Sequence, residues 1–361
     1  MIKSILNVTD KDVEAVVNQF NMTETYFPTI FPTKQRKSLT WGAIENVASV
    51  RRAANVVAFG TTIKETDRPA VQKLTGDLCK IAEKVKMDET EMYEYLDMLN
   101  HATSDADLAM LVDYWANDYK ICYENVINRI EWMALQSISL GRLHFTGENN
   151  AGVVTEADVD YEMEHKYGYY GTAPWSDPEH AKPLSVDLRQ AIKALKANRY
   201  NPKVIWMNPD TFAQLVACKE VIEQCASFTQ NALGISTVPT LEAVNATLIR
   251  LGYLNGAQIV LVDQNIEVGD MPASNPFADN VVLITETKNL GETYYRNAID
   301  LEAKNPIISR VQNGIVTLKK YAEEEHMIEY TQGIAIAFPV WKCSSSSLLL
   351  DVKNNTWREG N

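Results

Sequence analysis

The chain has 361 residues and a net charge of −13, with 46% hydrophobic and 22% charged side chains. That length supports two or three lobes with cores of their own, at an ordinary globular composition. The acidic balance argues against a surface built to grip duplex DNA, and no run of about 18 apolar residues exists to span a membrane. The opening MIKSILNVTDKDVEAVV is amphipathic and acidic, without the apolar core of a secretory signal. The Asn-x-Thr triplets at Asn7, Asn21, Asn245 and Asn354 therefore carry no expectation of glycosylation. The five cysteines, at 79, 122, 218, 225 and 343, form no CxxC pair and read as reduced thiols, mostly small buried apolar residues.

Residues 9–21 predict a short helix. Thr9 caps it, Asp12 completes a capping box, and Val13, Val16, Val17 and Phe20 form the apolar face. It is too short to stand alone, so that face must dock on its own body or on a partner. Residues 22–47 read as an extended arm. Pro28 and Pro32 are flanked by aromatics, and Lys34, Arg36 and Lys37 follow. An arm carrying Tyr26, Phe27 and Phe31 must lie across its own body or a neighbour's.

Residues 48–86 hold two strand-like runs, Ser49–Ala58 and Pro69–Glu83, joined by GTTIKETDRP as a long hairpin. Between residues 50 and 86 there are eight basic against four acidic side chains, net +4. Between 87 and 125 there are ten acids and one lysine, net −9. A basic loop beside an acidic helical region either leaves two solvated faces or attracts copies of the chain to one another.

The dominant element is a helix from Ser104 to Gly141. Ser104 is the N-cap, with Asp107 closing the box, and Gly141 is the stop. Leu108, Leu111, Trp115, Tyr119, Cys122, Val126, Ile130, Met133 and Ser137 step by three and four, a helical stripe. At about 1.5 Å per residue the helix is about 55 Å long, which suits a strut or a long core helix.

RLHFTGENNAGVV then reads as a hairpin. A strand, a Trp–Pro loop and a helix near Ser185 follow. Residues 203–300 alternate strands and helices as a mixed α/β lobe: VIWMNP, DTFAQLVACKEVIEQCA with Cys218 and Cys225 on one helical face, IVLVDQ and VVLITE. MIEYTQGIAIAFPVW alternates as a long strand with one buried face. Ile328, Tyr330, Ile334, Ile336, Phe338 and Val340 lie on one side, and Glu329, Thr331, Ala335 and Ala337 on the other. LLLDVK at 348–353 is its return strand. A long helix on long strands makes an α+β fold.

No reaction is implied. There is no GxxxxGK[ST], GxGxxG, GxSxG or HExxH. Asp158, Asp160, Glu162, Glu164 and His165 alternate toward one face, but no glycine-centred ligand loop accompanies them. We assign no catalytic residue, metal or cofactor.

The segments FPT…FPTKQRKSLTW, KIAEK at 80–84, NRIEW…LGRL, VDY…YG…APWSDPEHAKPLSVDL, VIWMNPDTFAQL and AFPVWK…LLLDV follow one another over almost the whole chain. Together, and in this order, they resemble the major capsid protein E family of tailed bacteriophages. Trp175-Ser176-Asp177-Pro178 is the sharpest. The resemblance implies the Hong Kong 97 capsid fold. It places an N-terminal arm at 1–47, an E-loop at 48–86, and a P-domain at 87–202 and 319–361, with residues 105–141 as its spine helix. The A-domain takes 203–318. Some members of this fold crosslink through a Lys–Asn isopeptide bond, and no such pair is assigned here.

The resemblance implies a shell protein of the virion, assembled in the host cytoplasm as pentamers and hexamers of an icosahedral head. Its partners are itself, a portal protein, separate scaffolding and decoration proteins where these exist, and the double-stranded DNA it encloses without reading sequence. The short start leads us to expect any scaffold to be a separate protein. We assign assembly to two groups. Arg51, Arg52, Lys64 and Arg68 on the loop should meet a neighbour's Asp88, Glu91, Glu94, Asp97 or Asp113. Tyr26, Phe27, Pro28, Phe31 and Pro32 should clamp the arm, and removing residues 1–33 should leave soluble, poorly assembling protein. An encapsulin-like cellular compartment and, in another class, a cytoplasmic α/β enzyme stay open as alternatives.

Overall fold

The computed structural model describes residues 10–20, 25–45, 72–146, 149–150, 158–226, 237–269, 271–301, 309–323 and 327–358. The helix Asp105–Leu140 runs unbroken for 36 residues. Ser104 Oγ accepts from the Asp107 N–H at 3.2 Å, and Asp107 Oδ2 accepts from the N–H groups of Thr103 and Ser104 at 3.0 and 2.9 Å. This is the expected capping box. Gly141, at φ +68, takes the left-handed position that ends the helix. Every member of the expected stripe from Leu111 to Ser137 is buried. The Leu108 side chain lies outside the description. From Ile130 to Ser139 every residue except Gln136 is buried, so this end is enclosed all round.

The chain divides into two compact units, with one boundary inside the long helix after Ala134. The first unit comprises Met1–Trp41, Gly76–Ala134 and Glu292–Val340. Its sheet is centred on the strand Ile328–Trp341. Val316–Glu323 pairs antiparallel along one edge of that strand, and Cys79–Met87 along the other. Ser309–Asn313 extends the sheet beyond Val316–Glu323.

On the central strand the side with the small residues is the more evenly buried. Glu329, Thr331, Gly333, Ala335 and Ala337 are buried, while Ile328, Tyr330 and Ile336 are only half-buried. The long helix lies on the side with the small residues. Cys122 Sγ–H donates to the Thr331 carbonyl at 3.4 Å, and a Cβ on Gly333 would stand 2.6 Å from the Cys122 carbonyl oxygen. Larger side chains would hold the helix away. Glu329 is tolerated there because Lys320 Nζ pairs with it at 3.0 Å, both being almost fully buried. The opposite face carries Tyr330, with Lys84 Nζ 3.5 Å from its ring centroid. Toward its end the strand is buried on both faces, as Ile334, Phe338 and Val340 show.

The run Pro69–Glu83 resolves into two strands, Gln72–Asp77 and Cys79–Met87, divided at Leu78. The first pairs with Thr40–Glu45. The other arm of the expected hairpin, Ser49–Ala58, lies outside the described residues, as does its tip. The short helix is Asp10–Val17, with Val13 and Val17 buried. It docks on its own chain: Asn313 Nδ2 donates to the carbonyls of Val17 and Phe20 at 2.7 and 3.0 Å. Thr9 and the Asp12 side chain lie outside the description.

The second unit comprises Gly42–Thr75, Leu135–Gly291 and Trp341–Asn361. Its five-stranded sheet runs Lys166–Gly168, Leu348–Asp351, Val281–Thr285, Val204–Met207, Gln258–Leu261. The three middle strands are buried at every position, as continuous apolar runs imply. Leu348–Asp351 therefore does not return along Ile328–Trp341. It pairs antiparallel with Val281–Thr285 and parallel with Lys166–Gly168. The helix expected over 210–226 is two, Pro209–Ala217 and Lys219–Cys225, broken by extended backbone at Cys218. Cys218 and Cys225 thus share no helical face. The RLHFTGENNAGVV hairpin closes further on than expected, between Arg142–His144 and Asp158–Asp160.

The Trp175 loop is tied by a buried carboxylate. Asp187 accepts from the N–H groups of Tyr170 and Gly171 and from Trp175 Nε1, each at 2.8 Å. Burial pushes the Asp187 carboxyl up, and these donors oppose it.

Candidate assembly surface

The arm folds onto its own chain. Phe27–Ile30 makes one helical turn, with Pro28 inside its start. Phe27, Ile30 and Phe31 are fully buried, and Tyr26, Pro28 and Pro32 are half-buried. As folded here, the Phe27 and Phe31 rings serve the subunit's own core. Only the edges of Tyr26, Pro28 and Pro32 remain for a neighbour. Beyond the turn, Thr33–Gln35 pairs parallel with Thr293–Tyr295. Thr293 Oγ1 donates to the Phe31 carbonyl at 2.9 Å, Lys34 Nζ meets Glu292 at 2.8 Å, and the Arg36 guanidinium lies 4.0 Å from the Tyr294 ring centroid.

The residue that holds the turn is Glu131, which the sequence reading missed. Its Oε1 accepts from the Tyr26 N–H at 2.8 Å and its Oε2 from the Phe27 N–H at 2.7 Å. The side chain is fully buried in the enclosed end of the long helix. Burial pushes its carboxyl up to about 7, with the two N–H groups opposing. A signal was available: Glu131 is the only charged residue between 130 and 140.

The acidic group lies on the helix Glu89–His101 and the start of the long helix. Asp88 and Glu91 form a reciprocal capping box. Asp88 Oδ1 accepts from the N–H groups of Thr90 and Glu91, and Glu91 Oε2 accepts from the Asp88 N–H at 2.9 Å. Glu94, Asp97 and Asp113 are exposed. The two helices touch through Tyr95 and Tyr114, whose ring centroids are 6.0 Å apart. Burial raises the Tyr114 hydroxyl, and the charges of Glu91, Glu94, Asp118 and Asp88 add to it.

This surface is apolar as well as acidic. On Glu89–His101 only Met92 and Tyr95 are buried. Tyr93 is 62% exposed, and Leu96, Met98 and Leu99 are exposed too. On the long helix Met110, at 67%, and Val112 join them. These six do not share one face: Met110 and Val112, two positions apart, point to opposite sides of their helix, and so do Leu96 and Met98. Arg51, Arg52, Lys64 and Arg68, the basic partners expected of a neighbour, lie outside the described residues.

No group of three or more His, Cys, Asp or Glu among the described residues could hold a metal ion. Asp158 instead takes the Arg142 guanidinium, Nε to Oδ1 at 2.7 Å. No described helix is long and apolar enough to cross a membrane.

The profile of a family described as phage major capsid protein E matches residues 13–305. No curated protein matches the sequence. Among solved structures, the chain is similar to a candidate capsid protein of a prophage of E. coli CFT073. Identity is 13% and the TM-score 0.61, over 95% of this chain and 99% of that one. It is also similar to a phage-related protein from Bordetella bronchiseptica RB50, at 13% identity and TM-score 0.53, over 96% and 97%. At such identities the likeness speaks to the fold alone.

Proposed function

Because this chain belongs to the phage major capsid protein E family, we propose that copies of it close into rings of five and six that tile an icosahedral head around packaged double-stranded DNA. The chain is a structural capsid protein of the virion, not an enzyme, and its fold is the α+β Hong Kong 97 type. Ring contacts are head-to-tail, and closure follows from the rotation between neighbours. Assembly takes place in the host cytoplasm around a portal protein, with scaffolding and decoration proteins where these exist. We map the arm to residues 1–47, the E-loop to 48–86, the P-domain to 87–202 and 319–361, and the A-domain to 203–318. The net charge of −13 suits a container whose wall leaves packaged DNA mobile.

The observation that carries this reading is that two touching helices expose the apolar Tyr93, Leu96, Leu99 and Met110 as well as the acids Glu94, Asp97 and Asp113. The same sequence carries Arg51, Arg52, Lys64 and Arg68 in a segment of net +4. One chain thus holds both halves of a complementary contact, and the basic half of one copy meets the acidic, apolar half of the next.

The test is charge exchange. A Glu94→Lys, Asp97→Lys, Asp113→Lys variant should fold, because all three side chains are exposed, and should fail to form shells in electron micrographs. Combining it with Arg51→Glu, Arg52→Glu, Lys64→Glu and Arg68→Glu should restore part of the assembly. Shells formed normally by the triple variant would overturn the assignment.

A further inference from the structure

We propose that the sheet face turned away from the long helix is a docking surface for the helix Glu89–His101 of a second copy, seated over Lys80 and Lys84. Along Cys79–Met87 exposure alternates. Lys80, Ala82, Lys84 and Lys86 are exposed on one side, and Ile81, Glu83 and Val85 are half-buried on the other. The row through Lys84 continues in register over three more strands as Gln332, Lys319 and Arg310. The row through Lys86 continues as Tyr330 and Tyr321, whose ring centroids are 5.3 Å apart. Ile336 stands opposite Lys80. Lysines 80, 84, 86 and 319 and Arg310 thus share one face with two tyrosines and an isoleucine. Among the described residues of these strands the acid on this side is Glu323, at the strand end, which accepts from the Tyr330 hydroxyl at 3.4 Å.

The occupant follows from charge and reach. On the helix Glu89–His101, Glu89, Tyr93, Leu96 and Asp97 step by three and four along one side, and all four are exposed. Met92 and Tyr95 are buried on a second side, and Glu91, Glu94 and Met98 stand on a third. Lys80 and Lys84 are four strand residues apart, about 13 Å, and Glu89 and Asp97 are eight helical residues apart, about 12 Å. Both ion pairs can therefore close at once, with Tyr93 and Leu96 between the acids and Ala82 between the lysines. A phosphate backbone would answer the lysines but not the apolar groups among them.

The two surfaces do not coincide. Glu89–His101 touches the long helix through Tyr95 and Tyr114, whereas the lysines face away from that helix. The contact is therefore head-to-tail, the kind that builds rings. The inference rests on the shell reading above and deepens it: Glu89 and Asp97 gain a place on the neighbour's body, while Glu94 and Asp113 are left to its basic loop.

The test is zero-length carbodiimide coupling, which joins an amine to a carboxylate in contact with it, on full-length protein assembled from an equal mixture of unlabelled and heavy-isotope copies. Mixed-isotope peptides should join Lys80 or Lys84 to Glu89 or Asp97. Coupling of these lysines only within one copy, only to other acids, or not at all would overturn the proposal. Lys80→Glu with Lys84→Glu should raise the protein concentration needed for assembly about tenfold or more, and adding Glu89→Lys and Asp97→Lys to the same chain should recover part of it. Should the lysine variant fail to fold, the coupling of the unaltered protein decides. A folded lysine variant that assembles at the ordinary concentration would overturn the proposal and leave the shell reading standing. So would one that assembles normally but retains less duplex DNA, which would give the face to phosphate. Absence of any ring or shell from the unaltered protein would overturn both.

Discussion

Gly333 sits where a β-carbon would fall 2.6 Å from the Cys122 carbonyl oxygen. That neighbour is helix backbone and cannot turn aside as a side chain would. Gly333→Ala should therefore cost about 1–3 kcal/mol, read as a lower urea midpoint at unchanged slope. An unmoved midpoint would mean that the helix does not press on this strand. The ion pair Lys320–Glu329 lies in the same layer, 3.0 Å apart and almost fully buried. Lys320→Met alone leaves a buried carboxylate without its cation and should cost about 3–5 kcal/mol, whereas Lys320→Met with Glu329→Leu should recover most of that. Equal losses in the single and double variants would contradict this. At this scale the sequence was half legible. Glu131 stood out as an acid in an apolar helix end, but nothing local pointed to Tyr26 and Phe27, which lie more than a hundred residues away.

Elements whose signals are local were read well. The long helix announced both its caps and its stripe, because a period of 3.6 and a capping box are written within a few residues. The strand Ile328–Trp341 was legible, but alternation marks two faces without saying which lies deeper. The deciding fact was the close approach of the helix, which favours Gly333, Ala335 and Ala337. The break at Cys218 left no local mark: the Lys219 N–H that follows it donates out of the helix, to the Pro178 carbonyl at 2.9 Å. The arm changes one expectation. Removing residues 1–33 also removes Val13, Val17, Phe27, Ile30 and Phe31, all buried. Each large apolar side chain lost from a core costs about 2–5 kcal/mol, so the truncated chain should melt far lower or fail to fold. A cut chain that melts like the whole one would show that the arm is not core.

For the whole molecule, charge was legible at once and its use was not. Composition separates a basic segment from an acidic one, but either could be a solvated face. The structure adds that the acidic region carries exposed Tyr93, Leu96, Leu99 and Met110, which a solvated face does not need. Both units have their own sheet, so each exposed patch is left over after the chain has folded. The most direct measurement is negative-stain microscopy, with light scattering, of the purified full-length protein across salt concentration. The account predicts closed shells or five- and six-membered rings that dissociate as salt screens the contact. A monodisperse small oligomer under every condition, with the Tyr93 and Met110 surface still exposed to solvent, would contradict it.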